Sequence, residues 1–164
     1  SSGRTFWKMS QNPVNYTGAG AKKGWYFTLP EPGERLLKPI AFYDGSNNLE
    51  VLSQIPASGG NSAEELCNPS PQQEKQFRTF LNIMDGKRPG VQVMDANGDG
   101  LYINSAGEDQ GVSRMSTSGG AISNTTGKNA SGNIRNVATG ADGKQDIFAP
   151  MPEQPMRPSW RQLQ

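Results

Sequence analysis

Between positions 24 and 55 short apolar runs alternate with turn residues at the spacing of β-strands. Trp25-Tyr26-Phe27-Thr28-Leu29 is aromatic and β-prone and stops at Pro30 and Pro32-Gly33, which predicts one strand ending in a turn. A second strand is predicted over 36–43, at a sheet edge or with a bulge, because Pro39 inside it has no N–H for a ladder. Asp44-Gly45-Ser46-Asn47-Asn48 is turn chemistry and 49–55 returns as a third strand, so the two predict a hairpin. A polar loop follows over 56–76, with a short helical turn near 63–66. Strand character resumes over 77–84, although its apolar positions 77, 80, 81 and 83 also fit one face of a helix.

Beyond position 110 the pattern fades. Positions 111–143 are rich in Gly, Ser, Thr and Asn with scattered apolar residues, which predicts loop, poorly anchored strand, or both, since such a segment buries little surface against its ordering entropy. Ile147-Phe148-Ala149 and the proline-rich stretch after it predict an extended segment, closed by a terminal strand anchored on Trp160. The organisation expected is an N-terminal extension or strand over 1–23, a β-rich region over 24–110, a Gly/Ser/Thr/Asn-rich loop segment over 111–146 and a closing strand over 147–164. Several short strands divided by Gly/Pro turns predict an all-β, antiparallel fold, with blade-like four-stranded sheets as one option.

Composition narrows this further. Of 164 residues only 33% are hydrophobic, while 20 are Gly and 12 are Pro, so the core is expected to be thin. A net charge of +1 leaves no electrostatic footprint for nucleic acid or an anionic membrane surface. No apolar run reaches bilayer length. The first residues, Ser1-Ser2-Gly3-Arg4, carry neither a signal peptide nor an initiator Met, so the chain reads as a piece of a longer product. Cys67 stands alone, either as a free thiol or as half of a bridge to another segment.

The acidic stretch Asp95-Ala96-Asn97-Gly98-Asp99-Gly100 is the strongest chemical signal. It sets three oxygen-bearing side chains on alternate residues and then a glycine where the backbone must turn, which is the opening half of a calcium loop. The expected ligands are the side chains of Asp95, Asn97 and Asp99 and the backbone carbonyl of Leu101. Position 12 of such a loop, where a bidentate Glu would stand, is Ala106, so closure falls to Glu108, Asp109, Asn104 or a remote group. Leu101-Tyr102-Ile103 reads as strand, giving a turn-to-strand loop. The alternative is a metal-free turn, since Asn, Asp and Gly dominate turns for conformational reasons alone.

Catalysis has little to work with. The chain contains no histidine, which removes Ser-His-Asp and Cys-His machinery and the commonest zinc ligand sets. Glu64 with Glu65 and Glu108 with Asp109 are the remaining carboxylate pairs for a carbohydrate-active reading, but they lie on polar segments without a flanking apolar pocket. Trp7, Trp25, Tyr26, Tyr43, Tyr102 and Trp160 are expected in the core, with a sugar-stacking surface as the alternative. Arg35, Arg78 and Arg88 are expected to be solvated.

Four pieces of the chain, in order, resemble the carboxy-terminal part of the PilY family, adhesins associated with the tips of bacterial type IV pili. They are Gly24-Trp25-Tyr26-Phe27-Thr28-Leu29-Pro30 with Pro32-Gly33-Glu34-Arg35, then Phe80-Leu81-Asn82-Ile83-Met84-Asp85-Gly86, the acidic loop from Met94 to Gly100, and Arg157-Pro158-Ser159-Trp160-Arg161-Gln162-Leu163. The resemblance covers residues from about 24 to the end. It implies the last one to two blades of a β-propeller from a secreted protein, acting without catalysis at the pilus tip in assembly and surface attachment, with calcium as a structural or regulatory ion. The implied partners are the rest of the parent adhesin, minor pilins and a host or abiotic surface. The incomplete sheet edges also raise self-association, up to an extracellular fibre.

Overall fold

The computed structural model describes residues 4–9, 11–12, 14–56, 74–102, 111–117, 123–128, 130, 132–140 and 143–152. These residues form nine strands, every pairing antiparallel: β1 (Phe6–Lys8), β2 (Arg35–Leu36), β3 (Ala41–Phe42), β4 (Asn48–Ile55), β5 (Lys75–Asn82), β6 (Val112–Thr117), β7 (Ser123–Lys128), β8 (Ile134–Thr139) and β9 (Gln145–Phe148). They make a six-stranded sheet in the order β1-β6-β5-β4-β2, with β3 also on β4, and a three-stranded sheet β7-β8-β9. The all-β, antiparallel class expected from the sequence is therefore present. Among the described residues no helix is long and apolar enough to cross a membrane.

The larger sheet is organised on β4 and β5, which pair without a slip from Asn48↔Asn82 to Ile55↔Lys75. The reading of this stretch as strand rather than helix is confirmed, but the strand lies two residues earlier at both ends than the predicted 77–84, and Ile83 and Met84 belong to the turn after it. The expected hairpin is also there. Asp44 and Gly45 both have positive φ (51° and 63°), and Ser46 N–H donates to Tyr43 O at 3.0 Å, the conformation that returns β3 into β4 with the right twist. Pro39 divides the predicted 36–43 strand into the two-residue β2 and β3, both on the edge of β4.

Two expectations fail. Residues 25–29 form no strand: a strand needs a ladder partner, and none of the described strands pairs there, so Tyr26 is 91% exposed rather than in the core. Leu101 and Tyr102 are likewise irregular. Of the alternatives left open beyond position 110, loop, poorly anchored strand, or both, strand dominates: this segment carries β6, β7, β8 and the start of β9. Polar residues form strands here because β6 is flanked on both sides, by β1 and β5, and β8 by β7 and β9, so ladder bonds replace the missing apolar pattern. The helical turn near 63–66 and the terminal strand at Trp160 lie outside the described residues.

The larger sheet is covered on both faces. Strand alternation places Phe80, Arg78 and Met115 on one face, and there Phe80 meets Tyr43 (ring centroids 4.5 Å) and Phe148 of the smaller sheet (5.5 Å, edge-on). Met94, Val93, Ala138 and Met151 complete this core. On the opposite face Phe77, Thr79 and Arg114 lie under Trp7 and the 31–34 turn, with Trp7 edge-on to Phe77 at 5.7 Å.

Candidate functional site

The acidic loop is closed by its own backbone. Asp95 Oδ1 accepts from Gly98 N–H (2.6 Å) and Oδ2 from Gly100 N–H (2.7 Å), Asn97 Oδ1 accepts from Asp99 N–H (3.0 Å), and Asp99 Oδ1 accepts from Leu101 N–H (2.7 Å). Asn97 Nδ2 donates to Asp99 Oδ2 at 3.0 Å. Gly98 and Gly100 both sit at φ +78°, a conformation that side chains with a Cβ rarely adopt, and this lets the chain wind around the three side chains. Alternate residues thus turn their oxygens onto a single coil of backbone, as the sequence spacing requires.

Both ends of the loop are fastened to β9. Met94, buried in the core, makes an isolated antiparallel bridge to Phe148, and Ala149 N–H donates to Val93 O at 3.0 Å. Tyr102 donates its hydroxyl to Ile147 O at 3.3 Å, and its ring lies 4.8 Å beneath the guanidinium of Arg135. The loop residues themselves, from Asn97 to Leu101, are exposed.

The donor set suits a hard cation: two carboxylates, an amide oxygen and a backbone carbonyl, with no nitrogen or sulfur ligand. Among the described residues no three His, Cys, Asp or Glu side chains gather as a metal cluster, so Asn97 is needed as the third side chain. Four oxygens fall short of the roughly six to eight that calcium takes. The sequence candidates for closure, Asn104, Glu108 and Asp109, lie outside the described residues, as do Glu64, Glu65 and Cys67.

Two buried ion pairs escaped the sequence reading. Arg78, expected to be solvated, is 1% exposed: its Nη1 lies 3.1 Å from Glu50 Oε1, and its guanidinium sits 4.8 Å above the Phe148 ring. Burial lowers its pKa from the ordinary guanidinium value, and Glu50 and then Asp146 oppose that shift. On the other face Arg114 donates from Nη1 and Nη2 to the two carboxylate oxygens of Glu34 (2.9 and 3.0 Å), and Ser53 Oγ–H also donates to Glu34. Because both faces of the sheet are covered, period-two alternation could not mark either arginine as buried. Arg35 is exposed as expected and Arg88 is half-buried.

The remaining aromatics divide. Tyr43 is buried, donates its hydroxyl to Ala149 O (2.8 Å) and accepts from Asn136 Nδ2 (2.9 Å). Trp7 and Trp25 are half-buried, the latter donating its indole N–H to Ile83 O at 2.8 Å. Three of these rings are engaged within the protein, Trp7 with Phe77, Tyr43 with Phe80 and Tyr102 with Arg135, and Trp160 lies outside the described residues. The chain matches no protein-family model, no curated protein and no solved structure.

Proposed function

We propose that this chain is the carboxy-terminal portion of a type IV pilus tip-associated adhesin of the PilY kind, a non-catalytic module whose acidic loop holds calcium. Its two sheets are read as the last one to two blades of a propeller completed by the parent protein. The module works outside the cell at the pilus tip, where it joins the parent adhesin to minor pilins and to the surface being gripped. Asp95, Asn97, Asp99 and the carbonyl of Leu101 would hold the ion, whose contribution is charge neutralisation and stiffening rather than chemistry on a substrate.

The observation that carries this reading is the fastening of the loop to β9 at both ends, through Met94 and Tyr102. An ion that orders the loop then also stiffens the junction between the sheets. The four-part resemblance, from the Gly24 segment to the Trp160 segment, is what supports this reading of the parent. Calorimetric titration with calcium tests the site: the unaltered chain is expected to give a saturable heat that Asp95→Ala with Asp99→Ala removes. Equal heats from both would remove calcium from the account.

A fibre subunit is the second reading, favoured by one feature. Strand β7 ends the smaller sheet among the described strands, and along Thr125, Thr126 and Gly127 it carries neither charge nor proline, with Lys128 the first charge it meets. Mass rising with concentration in sedimentation would favour the fibre, and a constant monomer mass the pilus-tip module.

A further inference from the structure

Asn97-Gly98 is the one Asn-Gly dipeptide in the chain. Attack of Gly98 N on the side-chain carbon of Asn97, Cγ, closes a succinimide ring between neighbouring residues, so the reacting groups are already held together and no encounter has to be made. Gly98 brings no Cβ to obstruct that closure, and its φ of +78° is one that few other residues adopt. Both residues are exposed, which gives water access to a ring once it forms.

The hydrogen bonds of the loop fall on the atoms that would react. Gly98 N–H donates to Asp95 Oδ1 at 2.6 Å, which sets a carboxylate where a base must take the proton of the attacking nitrogen. Asn97 Oδ1, the oxygen that gains negative charge as Cγ becomes tetrahedral, accepts from Asp99 N–H at 3.0 Å, within the range of an oxyanion donor. Asn97 Nδ2, the leaving group, donates to Asp99 Oδ2 at 3.0 Å, which holds the plane of the amide.

We propose that Asn97 is a self-modification site, at which the folded loop speeds loss of ammonia through a succinimide to give aspartate or isoaspartate. Gly98 N passes its proton to Asp95 and bonds to Cγ. The tetrahedral oxyanion then collapses, the Cγ–Nδ2 bond breaks, and Nδ2 leaves as ammonia with the proton returned from Asp95 through water. A water molecule next opens the ring: breaking the bond from Cγ to Gly98 N leaves aspartate, and breaking the bond from the Asn97 backbone carbonyl carbon leaves isoaspartate. An amide and a water thus become an acid and ammonia, with no oxidant, reductant or metal. Either product adds a negative charge beside Asp95 and Asp99, and isoaspartate also lengthens the backbone, which moves the Gly98 and Asp99 N–H groups out of their bonds. The reaction stands without calcium, whereas its effect on calcium affinity rests on the function proposed above.

The test follows the whole chain at neutral pH and physiological temperature with EDTA present, once folded and once in guanidinium chloride. Peptide mapping by mass spectrometry locates the amide-to-acid change, and enzymatic methylation reads the isoaspartate. Asn97 is expected to convert faster in the folded chain than in the unfolded one, because only the fold brings Asp95 and Asp99 N–H to the reacting atoms. Asp95→Asn is expected to slow the folded chain by about a hundredfold, the low end for a positioned base, and to leave the rate in guanidinium chloride unchanged. The comparison of folded with unfolded parent uses no variant, so it decides even where Asp95→Asn disturbs the loop. Equal rates in the two states, slower conversion in the folded chain, or an unchanged rate in folded Asp95→Asn would overturn the proposal. With EDTA present, none of these outcomes bears on whether the loop holds calcium, which the calorimetric titration decides.

Discussion

Glu34 has no exposed side-chain surface and Arg114 only 3%, so each depends on the other to offset the loss of water. The pair ties the turn at 31–34 to β6 across the sheet, and Glu34 Oε2 also accepts from Glu31 N–H at 3.1 Å, which fixes the turn itself. Glu34→Ala leaves the guanidinium buried and unneutralised and is expected to cost about 3–5 kcal/mol in denaturant unfolding. A loss under about 1 kcal/mol, the range of exposed pairs, would contradict the burial described. Tyr43 gives a pH-dependent case. Burial raises its phenol pKa above the usual value, with the Asn136 hydrogen bond acting against that rise. The unfolded chain ionises near pH 10 while the folded one stays neutral, so this contribution to stability is complete below about pH 10 and declines as pH rises above it. Tyr43→Phe is expected to cost about 1 kcal/mol at neutral pH and to flatten the alkaline decline, read from unfolding midpoints between pH 8 and 11. An equally steep decline in the variant would place its cause elsewhere.

At the scale of elements, the turn after β5 is set by one glycine. Gly86 sits at φ +66°, and a Cβ there would come within 2.6 Å of two ring atoms of Trp25. Gly86→Ala is expected to destabilise by about 1–3 kcal/mol and to shift the tryptophan emission, because the ring must move off the turn. Unchanged emission would mean that Trp25 is not packed there. The elements legible in the sequence were those whose information is local: Asp44-Gly45 for the hairpin, Pro39 for the broken edge, the apolar runs for β4 and β5, and the alternating oxygens for the loop. The illegible ones depend on partners. Trp25 to Leu29 has ideal strand residues but no ladder, whereas Ser123 to Lys128 has poor ones and is held by β8. Arg78 looked solvated, and Arg114 drew no reading, because nothing local announces that both faces of β5 and β6 are covered.

On the scale of the whole molecule, the acidic loop is the join. It leaves the core at Met94, winds through Asp95, Asn97 and Asp99, and returns to β9 at Tyr102, while the first residues reach the same sheet through Arg4 and Asp146. If calcium fills the loop, its binding energy adds to the stability of the sheets on either side and not only to the loop. A ligand bound solely by the folded state stabilises it by RT ln(1 + [L]/Kd), about 2.7 kcal/mol at one hundred times Kd. The direct measurement is therefore thermal unfolding followed at a β-sheet circular dichroism band, across a calcium titration, for the unaltered chain and for Asp95→Ala with Asp99→Ala. The midpoint is expected to climb with calcium in the first and stay level in the second; a midpoint indifferent to calcium in both, or climbing equally in both, would rule out calcium held by this loop.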